Sequence, residues 1–247
     1  MQRLAGALYA TLGLVLVLLG AAAVSLYLTP WIVVPRGRRE RWTIHGARMF
    51  AWFCLHPVLW ARSQVIGAEN LPKTGGYLVI SNHRSWADVP LLMLHTWSNG
   101  ISKREVAWIP FFGLNGWLAG AIFFDRKSRM ARARVVQEAL MLLGSGHRLH
   151  VFPEGTRTRT GRLGEKIYLR LVQSAIEAGI PVVPACVWGT EHAVPATGFQ
   201  AWPGRGVGLE IARSPARSPG EDDEAYARRC WEVVVEMAKG RGVDRVF

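Results

Sequence analysis

The sequence has few cysteines and no nucleotide-binding loop. Cys54, Cys186 and Cys230 lie far apart, and no two of them form a C-x-x-C pair. This spacing excludes a disulfide framework and a thiolate metal site, and it is consistent with a domain kept in a reducing compartment. Neither a Walker loop nor a G-x-G-x-x-G motif is present, so the sequence offers no glycine-rich loop for a nucleotide phosphate.

Acidic residues are also scarce. The 247 residues include 18 Asp and Glu against 30 Lys and Arg, which gives a net charge of +12. Such an excess implies an anionic partner, which is either nucleic acid or the acidic surface of a membrane. Half of the residues are hydrophobic, and this excludes a disordered chain. The length suits one domain together with a membrane attachment.

The first long apolar run favours the membrane as that partner. Leu4 to Leu28 is uncharged, and as a helix it would be about 37 Å long, enough to cross a hydrocarbon core of about 30 Å. A secretory signal has a shorter apolar core of about 7–15 residues, so we predict an anchor. One arginine precedes the run and four follow it: Arg3, then Arg36, Arg38, Arg39 and Arg41. This bias predicts the cell (inner) membrane, with the rest of the chain on its cytoplasmic side.

A second apolar segment extends from Trp42 to Trp60 and is flanked by Arg41 and Arg62. Tryptophans next to arginines are typical of a helix at the membrane interface. A single span and a two-helix motif that enters one leaflet both fit this pattern. We therefore predict an N-terminal anchor over residues 1–62, as one span or a two-helix interfacial motif, and a second domain over residues 63–247.

Beyond residue 63, short apolar runs alternate with segments of helical periodicity. Strands are predicted at 65–66, 77–80, 121–124, 150–152, 180–187 and 207–211, and helices at 86–96, 129–143, 166–178 and 221–239. This alternation predicts the α/β class, with a mostly parallel sheet flanked by helices and a hydrophobic helical segment at the N-terminus. In such sheets, ligands bind beyond the carboxyl ends of the strands.

His83 and Asp88 follow the predicted strand 77–80 and are five residues apart. A carboxylate that accepts from one ring nitrogen fixes the tautomer of a histidine. The other nitrogen can then take a proton from a substrate hydroxyl. The alternative is a hydrogen bond that only stabilises the turn. No third residue has the spacing of a metal ligand, so no metal site is predicted.

A second polar segment, Glu154 to Arg157, follows the predicted strand 150–152. A glycine turn beside a guanidinium suits an anion, because N–H groups and positive charge face the same ligand. Arg157 is predicted to bind a phosphate, and Glu154 to fix Arg157 or the neighbouring backbone. The alternative is a turn at the end of a strand with a solvated arginine.

Four segments, in order, resemble motifs of the 1-acyl-sn-glycerol-3-phosphate acyltransferase family. They are Asn82–Asp88, Lys103 through Arg126, Phe152–Arg157 and Ile180–Pro184, and the likeness covers residues 63–195. The resemblance implies that His83 and Asp88 are catalytic. It further implies that two sets of residues bind the acceptor: Glu154, Gly155, Thr156 and Arg157, and the cations Lys103 and Arg126.

The chain departs from the family pattern at two places. Arg84 stands where the residue after the catalytic histidine is commonly Gln, and Leu163–Tyr168 replaces a stretch that often reads Phe-Lys-x-Gly. The second stretch lies next to the predicted phosphate site. It therefore bears on which acceptor is used.

The resemblance implies transfer of a fatty acyl group from acyl-CoA or acyl carrier protein to a lysophospholipid hydroxyl. The favoured acceptor is 1-acyl-sn-glycerol 3-phosphate, which gives phosphatidic acid. Lyso-ornithine lipid, another lysophospholipid or glycerol 3-phosphate are alternative acceptors. The thioester is a co-substrate, no cofactor is expected, and membrane phospholipid is the expected partner. A non-catalytic basic module that binds membrane or nucleic acid is the alternative of another class, and nucleic acid is disfavoured because an anionic leaflet explains the charge.

A covalent acyl-enzyme is also disfavoured. Ser85 lies close to His83, but the Gly-x-Ser-x-Gly elbow of serine acyl hydrolases is absent. We therefore expect direct transfer from the thioester to the acceptor hydroxyl, with backbone N–H groups of the motif turns as oxyanion donors.

Overall fold

The computed structural model describes residues 2–125, 128–158, 162–164 and 166–243. The side chains of Arg3, Arg36 and Arg41, on which the predicted orientation partly rests, lie outside this description. The helices are α1 (Gln2–Leu28), α2 (Arg36–Phe53), α3 (Asp88–Thr96), α4 (Phe112–Leu118), α5 (Arg129–Gly144), α6 (Arg170–Glu177), α7 (Thr190–Ala193) and α8 (Asp223–Gly240). The strands are β1 (Arg62–Ile66), β2 (Tyr77–Ser81), β3 (Asn99–Lys103), β4 (Ile122–Phe124), β5 (Arg148–Val151), β6 (Val182–Trp188) and β7 (Gly206–Ile211).

The seven strands form one sheet in the order β1-β7-β6-β2-β5-β3-β4. Strand β2 is central and pairs in parallel with both β5 and β6. Strand β7 runs antiparallel to β6, and β1 pairs in parallel with β7. The predicted α/β class with a mostly parallel sheet is confirmed. Because β2, β5 and β3 are parallel neighbours, the residues that follow them lie at one edge of the sheet.

Helices cover both faces of the sheet. All five residues of β2 are buried, and successive side chains of a strand point to opposite faces. Tyr77 and Val79 accordingly pack in one core cluster with residues of α3 and of the segment after α2. Leu78 and Ile80 pack in a second cluster with residues of α5, α6 and α8. Burial on both faces explains the continuous apolar run that predicted this strand.

Several elements differ from their prediction. Helices α4 and α7 were not predicted. Strand β3 was not predicted, because its sequence Asn-Gly-Ile-Ser-Lys contains one large apolar residue; it forms through pairing with β5 and β4. The helix predicted from residue 166 was wrong for its first turn, since α6 begins at Arg170. Tyr168 instead donates its N–H to Pro153 O at 2.8 Å, so this stretch crosses the turn after β5.

Helices α1 and α2 form an antiparallel hairpin. Gly20 lies against Phe53, and Gly46 lies against Tyr27 and Leu28, so small residues let the two helices approach closely. Within the part of the chain that the structure describes, one helical segment, Leu4–Val33, is long and apolar enough to cross a membrane. Its outward side chains form a stripe in which each residue is at least 49% exposed: Leu4, Leu8, Leu12, Val15, Leu19 and Leu26. This surface is consistent with membrane association.

Both halves of α1 contact the α/β domain. Near its start, Ala201 N donates to Gly6 O at 3.2 Å, and Gly6 lies beside the ring of Trp202. Near its end, the Asn115 amide donates to Ala21 O at 2.8 Å. Helix α1 therefore lies along the α/β domain over most of its length.

Candidate active site

His83 and Asp88 meet in the loop that connects β2 to α3. His83 Nδ1 lies 2.9 Å from Asp88 Oδ2. Asp88 is the first residue of α3 and is fully buried, whereas the His83 side chain is 16% exposed. With Nδ1–H donating to the carboxylate, the lone pair of Nε2 is the one that can accept a proton. The pair thus has the geometry of a general base with an orienting carboxylate.

Asp88 receives three further donors. Its Oδ2 also accepts from the backbone N–H groups of Arg84 at 2.6 Å and Ser85 at 2.7 Å. Its Oδ1 accepts from the Thr190 hydroxyl at 2.5 Å. A carboxylate that is removed from water needs such donors, because each unpaired lone pair costs free energy. Asp88 therefore ties the β2–α3 loop to the turn after β6.

The segment after β5 packs against His83. The rings of His83 and Phe152 are stacked, with centroids 3.9 Å apart and planes at 11°. The backbone is bonded as well, since Thr158 N donates to His83 O at 3.0 Å and His83 N donates to Glu154 Oε1 at 2.9 Å. The orientation of the imidazole is thus fixed from two sides, by Asp88 and by the 152–158 segment.

Glu154 contacts backbone, which is one of the two roles predicted for it. Its second oxygen, Oε2, accepts from Gly164 N at 3.0 Å. Burial raises the pKa of Glu154 to about 7, from an ordinary value of 4.5, although the N–H donors of His83 and Gly164 act in the opposite direction. The carboxyl group therefore connects the histidine loop to the stretch that departs from the family pattern.

Arg157 lies near the surface beside the histidine loop. Its guanidinium lies over the ring of Trp86, 4.3 Å from the ring centroid, and Trp86 is 51% exposed. The preceding turn depends on Gly155, whose φ of 69° favours glycine. The N–H of Gly155 donates to Phe152 O at 2.9 Å and so closes the turn. Thr156 is exposed beside it.

Arg84 points into the domain and not towards solvent. It is 2% exposed; its Nη2 lies 3.2 Å from Glu191 Oε1, and its Nη1 donates to Val243 O. The guanidinium joins the histidine loop to α7 and to the end of the described chain. This burial gives a structural reason for arginine at a position where the family commonly has Gln.

Two predicted site residues remain, Lys103 and Arg126, together with the stretch that departs from the family pattern. Lys103 is exposed and is the last residue of β3, at the same edge of the sheet as His83. Arg126 lies outside the described residues. Tyr168 lies against Gly155, and Lys166 Nζ is 5.5 Å from the centroid of the Tyr168 ring. The departing stretch therefore borders the predicted phosphate site.

Several groups near His83 already have partners. The N–H groups of residues 83, 84 and 85 all donate to carboxylates, so they are not placed to bind an oxyanion. The Ser85 hydroxyl donates to Val194 O at 2.7 Å, which does not suit a nucleophile. Among the described residues, no group of three or more His, Cys, Asp or Glu side chains could hold a metal ion.

Comparison with known proteins identifies the family. A family model described as Acyltransferase matches residues 62–188. The chain belongs to the acyltransferase family. The matched range contains His83, Asp88 and the segment from Glu154 to Arg157, whereas Thr190 lies just beyond it.

Relatives with curated names share this region. The 1-acyl-sn-glycerol-3-phosphate acyltransferase alpha of Mus musculus is 39% identical over 126 residues, which cover 50% of this chain and 44% of the relative. The match thus spans less than half the length of that relative. The 1-acyl-sn-glycerol-3-phosphate acyltransferase of Pseudomonas aeruginosa is 27% identical over 205 residues, which cover 82% of this chain and 77% of the relative.

A solved structure extends the likeness to nearly the whole chain. It is the crystal structure of the 1-acyl-sn-glycerophosphate (LPA) acyltransferase, PlsC, from Thermotoga maritima, with a TM-score of 0.77 and 25% sequence identity. The match covers 98% of this chain and 96% of that chain. The likeness therefore includes the helical hairpin as well as the α/β domain of this acyltransferase family member.

Thr190 and Phe152 are contacts of the His83–Asp88 pair that sequence reasoning missed as site residues. Thr190 lies 102 residues from Asp88 in the sequence, and no local pattern connects them. Its place directly after Gly189, which has a φ of 77° at the end of β6, is a signal that could have marked it. Phe152 stands within a quoted motif, but its stacking on His83 depends on the register of β5 beside β2.

Thr190→Val should lower kcat while leaving KM for the acceptor nearly unchanged, because it removes one donor from the buried carboxylate that orients His83. Partial loss of this orientation should lower kcat by roughly tenfold, less than the about 10²–10⁴-fold that a general base contributes. Thr190→Ser, which keeps the hydroxyl, is the matched control and should retain activity. Equal losses in both variants, measured by steady-state kinetics, would contradict a role for the hydrogen bond.

Glu154→Gln should change how stability depends on pH. In the folded chain the raised pKa of Glu154, about 7 against 4.5, means that the folded state holds a proton that the unfolded state releases. The free energy of unfolding therefore falls as pH rises from about 4.5 to about 7. Glu154→Gln lacks this contribution, so its melting temperature relative to the unmodified chain should rise across that window. A constant difference between the two melting temperatures would refute the assignment.

Proposed function

We propose that the chain transfers a fatty acyl group from an acyl thioester to the free hydroxyl of a lysophospholipid. The favoured acceptor is 1-acyl-sn-glycerol 3-phosphate, which would give phosphatidic acid. The single observation that carries this proposal is the His83–Asp88 pair, with Nδ1 held at 2.9 Å and Nε2 on the other side of the ring. The curated names of the relatives support the choice of acceptor.

In the proposed mechanism His83 Nε2 takes the proton of the acceptor hydroxyl as the oxygen attacks the thioester carbonyl. Asp88 stabilises the imidazolium that forms, because its Oδ2 accepts from Nδ1–H. The tetrahedral intermediate then collapses and the C–S bond breaks. The thiolate leaves with the proton that His83 Nε2 took from the acceptor, which restores the neutral imidazole. The engaged hydroxyl of Ser85 supports this direct transfer over an acyl-serine intermediate. The thioester, from CoA or acyl carrier protein, is the co-substrate, and no cofactor is needed.

The acceptor phosphate is proposed to bind between two sources of positive charge. Arg157 stands over Trp86, and a planar guanidinium matches the geometry of a phosphate. Lys103 supplies a second cation at the same sheet edge. We also propose that Arg126, Thr156 and the turn at Gly155 contribute to binding the same phosphate.

We further propose that the α1–α2 hairpin enters one leaflet and does not cross the bilayer. A crossing helix has its two ends at opposite surfaces, about 30 Å apart. Here Gly6 is bonded to Ala201, and Ala21 is bonded to Asn115, so both halves of α1 contact the same domain. The net charge of +12 favours the cytoplasmic face of the inner membrane for that domain, because that leaflet is anionic.

His83→Ala should reduce acyl transfer by about 10²–10⁴-fold, the effect of removing a general base. The measurement is an assay in membranes with one labelled thioester and a panel of acceptors. The panel holds lysophosphatidate, another lysophospholipid, lyso-ornithine lipid and glycerol 3-phosphate. His192→Ala, which alters an exposed histidine, is the matched control. Wild-type rates in His83→Ala would exclude the mechanism, and absence of transfer to every acceptor by the unmodified chain would favour a binding module.

Arg157→Ala should mainly raise KM for a phosphate-bearing acceptor, because the guanidinium is proposed to bind the phosphate and not the reacting atoms. Arg228→Ala is a matched control, since Arg228 is exposed on α8 and lies 2.8 Å from Glu224. An acceptor without a phosphate should show little change in KM. An unchanged KM for lysophosphatidate in Arg157→Ala would place the phosphate elsewhere.

A further inference from the structure

A short segment between β3 and β4 exposes large apolar side chains to solvent. It consists of a 3₁₀ turn, Arg104–Trp108, and α4. Four of its residues form what we call the α4 face: Trp108, Phe111, Leu114 and Trp117, which are 75%, 45%, 43% and 41% exposed. Within α4, Leu114 and Trp117 are three residues apart and lie on neighbouring turns, and Trp108 and Phe111 are exposed directly before the helix. Contiguous exposed apolar surface of this kind marks an interaction site.

The α4 face is fixed relative to α1. Asn115 lies between the exposed residues Leu114 and Trp117 in sequence but points inward. Its Oδ1 accepts from Ser25 Oγ at 2.8 Å, and its Nδ2 donates to Ala21 O at 2.8 Å. Both partners belong to the segment that is apolar and long enough for a membrane. The face therefore cannot move away from a lipid phase that holds this half of α1.

Contacts with α2 fix the other side of α4. The Thr43 hydroxyl donates to Leu118 O at 2.9 Å, and the rings of Phe50 and Phe112 meet edge to face at 5.4 Å. The Arg39 guanidinium lies 4.0 Å from the centroid of the Trp117 ring. Segment 104–118 is thus packed on the hairpin as a third helical element, while its apolar side chains point outward.

We propose that the α4 face is inserted in the same lipid leaflet as α1 and is a membrane-contacting element in its own right. The occupant is a lipid surface, because the Asn115 bonds hold the segment against α1, the helix that is long and apolar enough for a membrane. Two positive charges agree with insertion of the α4 face. Lys103 and Arg104 are exposed directly before the face, where anionic headgroups would lie.

The inference also gives Lys103 a position. Lys103 ends β3 and is followed at once by the segment that carries the α4 face. Resting on the proposed function, this arrangement holds the acceptor-binding cation at the level of the headgroups. The phosphate of a lipid acceptor then meets Lys103 without leaving the leaflet.

The insertion depth can be measured without any catalytic readout. Leu114→Cys, labelled with an environment-sensitive fluorophore, would be bound to anionic phospholipid vesicles that carry bromine atoms at defined acyl-chain positions. The three native cysteines are all buried, which favours labelling at the introduced site. Met141→Cys is the matched control, because Met141 is 65% exposed on α5, which packs on the opposite face of the sheet from α2.

We expect the probe at Leu114 to be quenched from about 5–10 Å below the headgroups, the depth of interfacial apolar side chains. The probe at Met141 should not be quenched. Equal quenching at the two positions would overturn the proposal. It would also fail if the Leu114 probe stayed unquenched while the chain was bound to the vesicles.

A second variant separates membrane contact from folding. Leu114→Asp places a charge on a side chain that is 43% exposed, so the fold should be retained, with an unchanged melting temperature in detergent. Binding to vesicles should weaken relative to Met141→Asp, and this result does not depend on acyl transfer. If the chain proves inactive on every acceptor, the proposed function fails while the depth measurement still tests the α4 face.

Discussion

The buried carboxylate of Asp88 is the interaction on which the candidate site depends. A charge removed from water is tolerated only when donors replace the water, and here they come from three places: the His83 ring, the backbone of residues 84–85 and the Thr190 hydroxyl. Two loops that leave β2 and β6 are therefore held together by one side chain. The same bonds that stabilise the carboxylate orient the imidazole, so stability and geometry of the site have a common origin.

A second carboxyl group extends this organisation to the proposed phosphate site. Glu154 binds the backbone of His83 on one side and of Gly164 on the other, and Phe152 stacks on the imidazole. His83 and the segment that leads to Arg157 therefore form one rigid unit. Burial raises the pKa of Glu154 to about 7, so the charge inside this unit changes within the physiological range of pH. Burial has the opposite effect on the nearby His150, because it lowers the pKa of that ring to about 3 and keeps it neutral.

Local sequence patterns predicted those structural features that depend on residues close together in the chain. Strand β2 is buried on both faces and is therefore a continuous apolar run, and the His83–Asp88 contact lies within five residues at the end of that strand. Strand β3 was missed because pairing with β5 and β4, and not its own composition, makes it a strand. Thr190 was missed for the same reason, since its contact with Asp88 spans 102 residues. Arg84 forms a buried ion pair with Glu191, and this role could be recognised only from the three-dimensional structure.

The anchor shows why sequence left two arrangements open and how packing distinguishes them. Length and hydropathy describe α1 alone, and a helix of that length suits either a span or a hairpin within one leaflet. The bonds from Gly6 to Ala201 and from Ala21 to Asn115 involve the α/β domain at both halves of the helix, which favours the hairpin. In the proposed one-leaflet arrangement, a domain held along its anchor would keep a constant height above the leaflet. For an acceptor that is itself a lipid, a fixed height replaces diffusion through water with lateral motion in the membrane, so the encounter needs no extraction of the acyl chain.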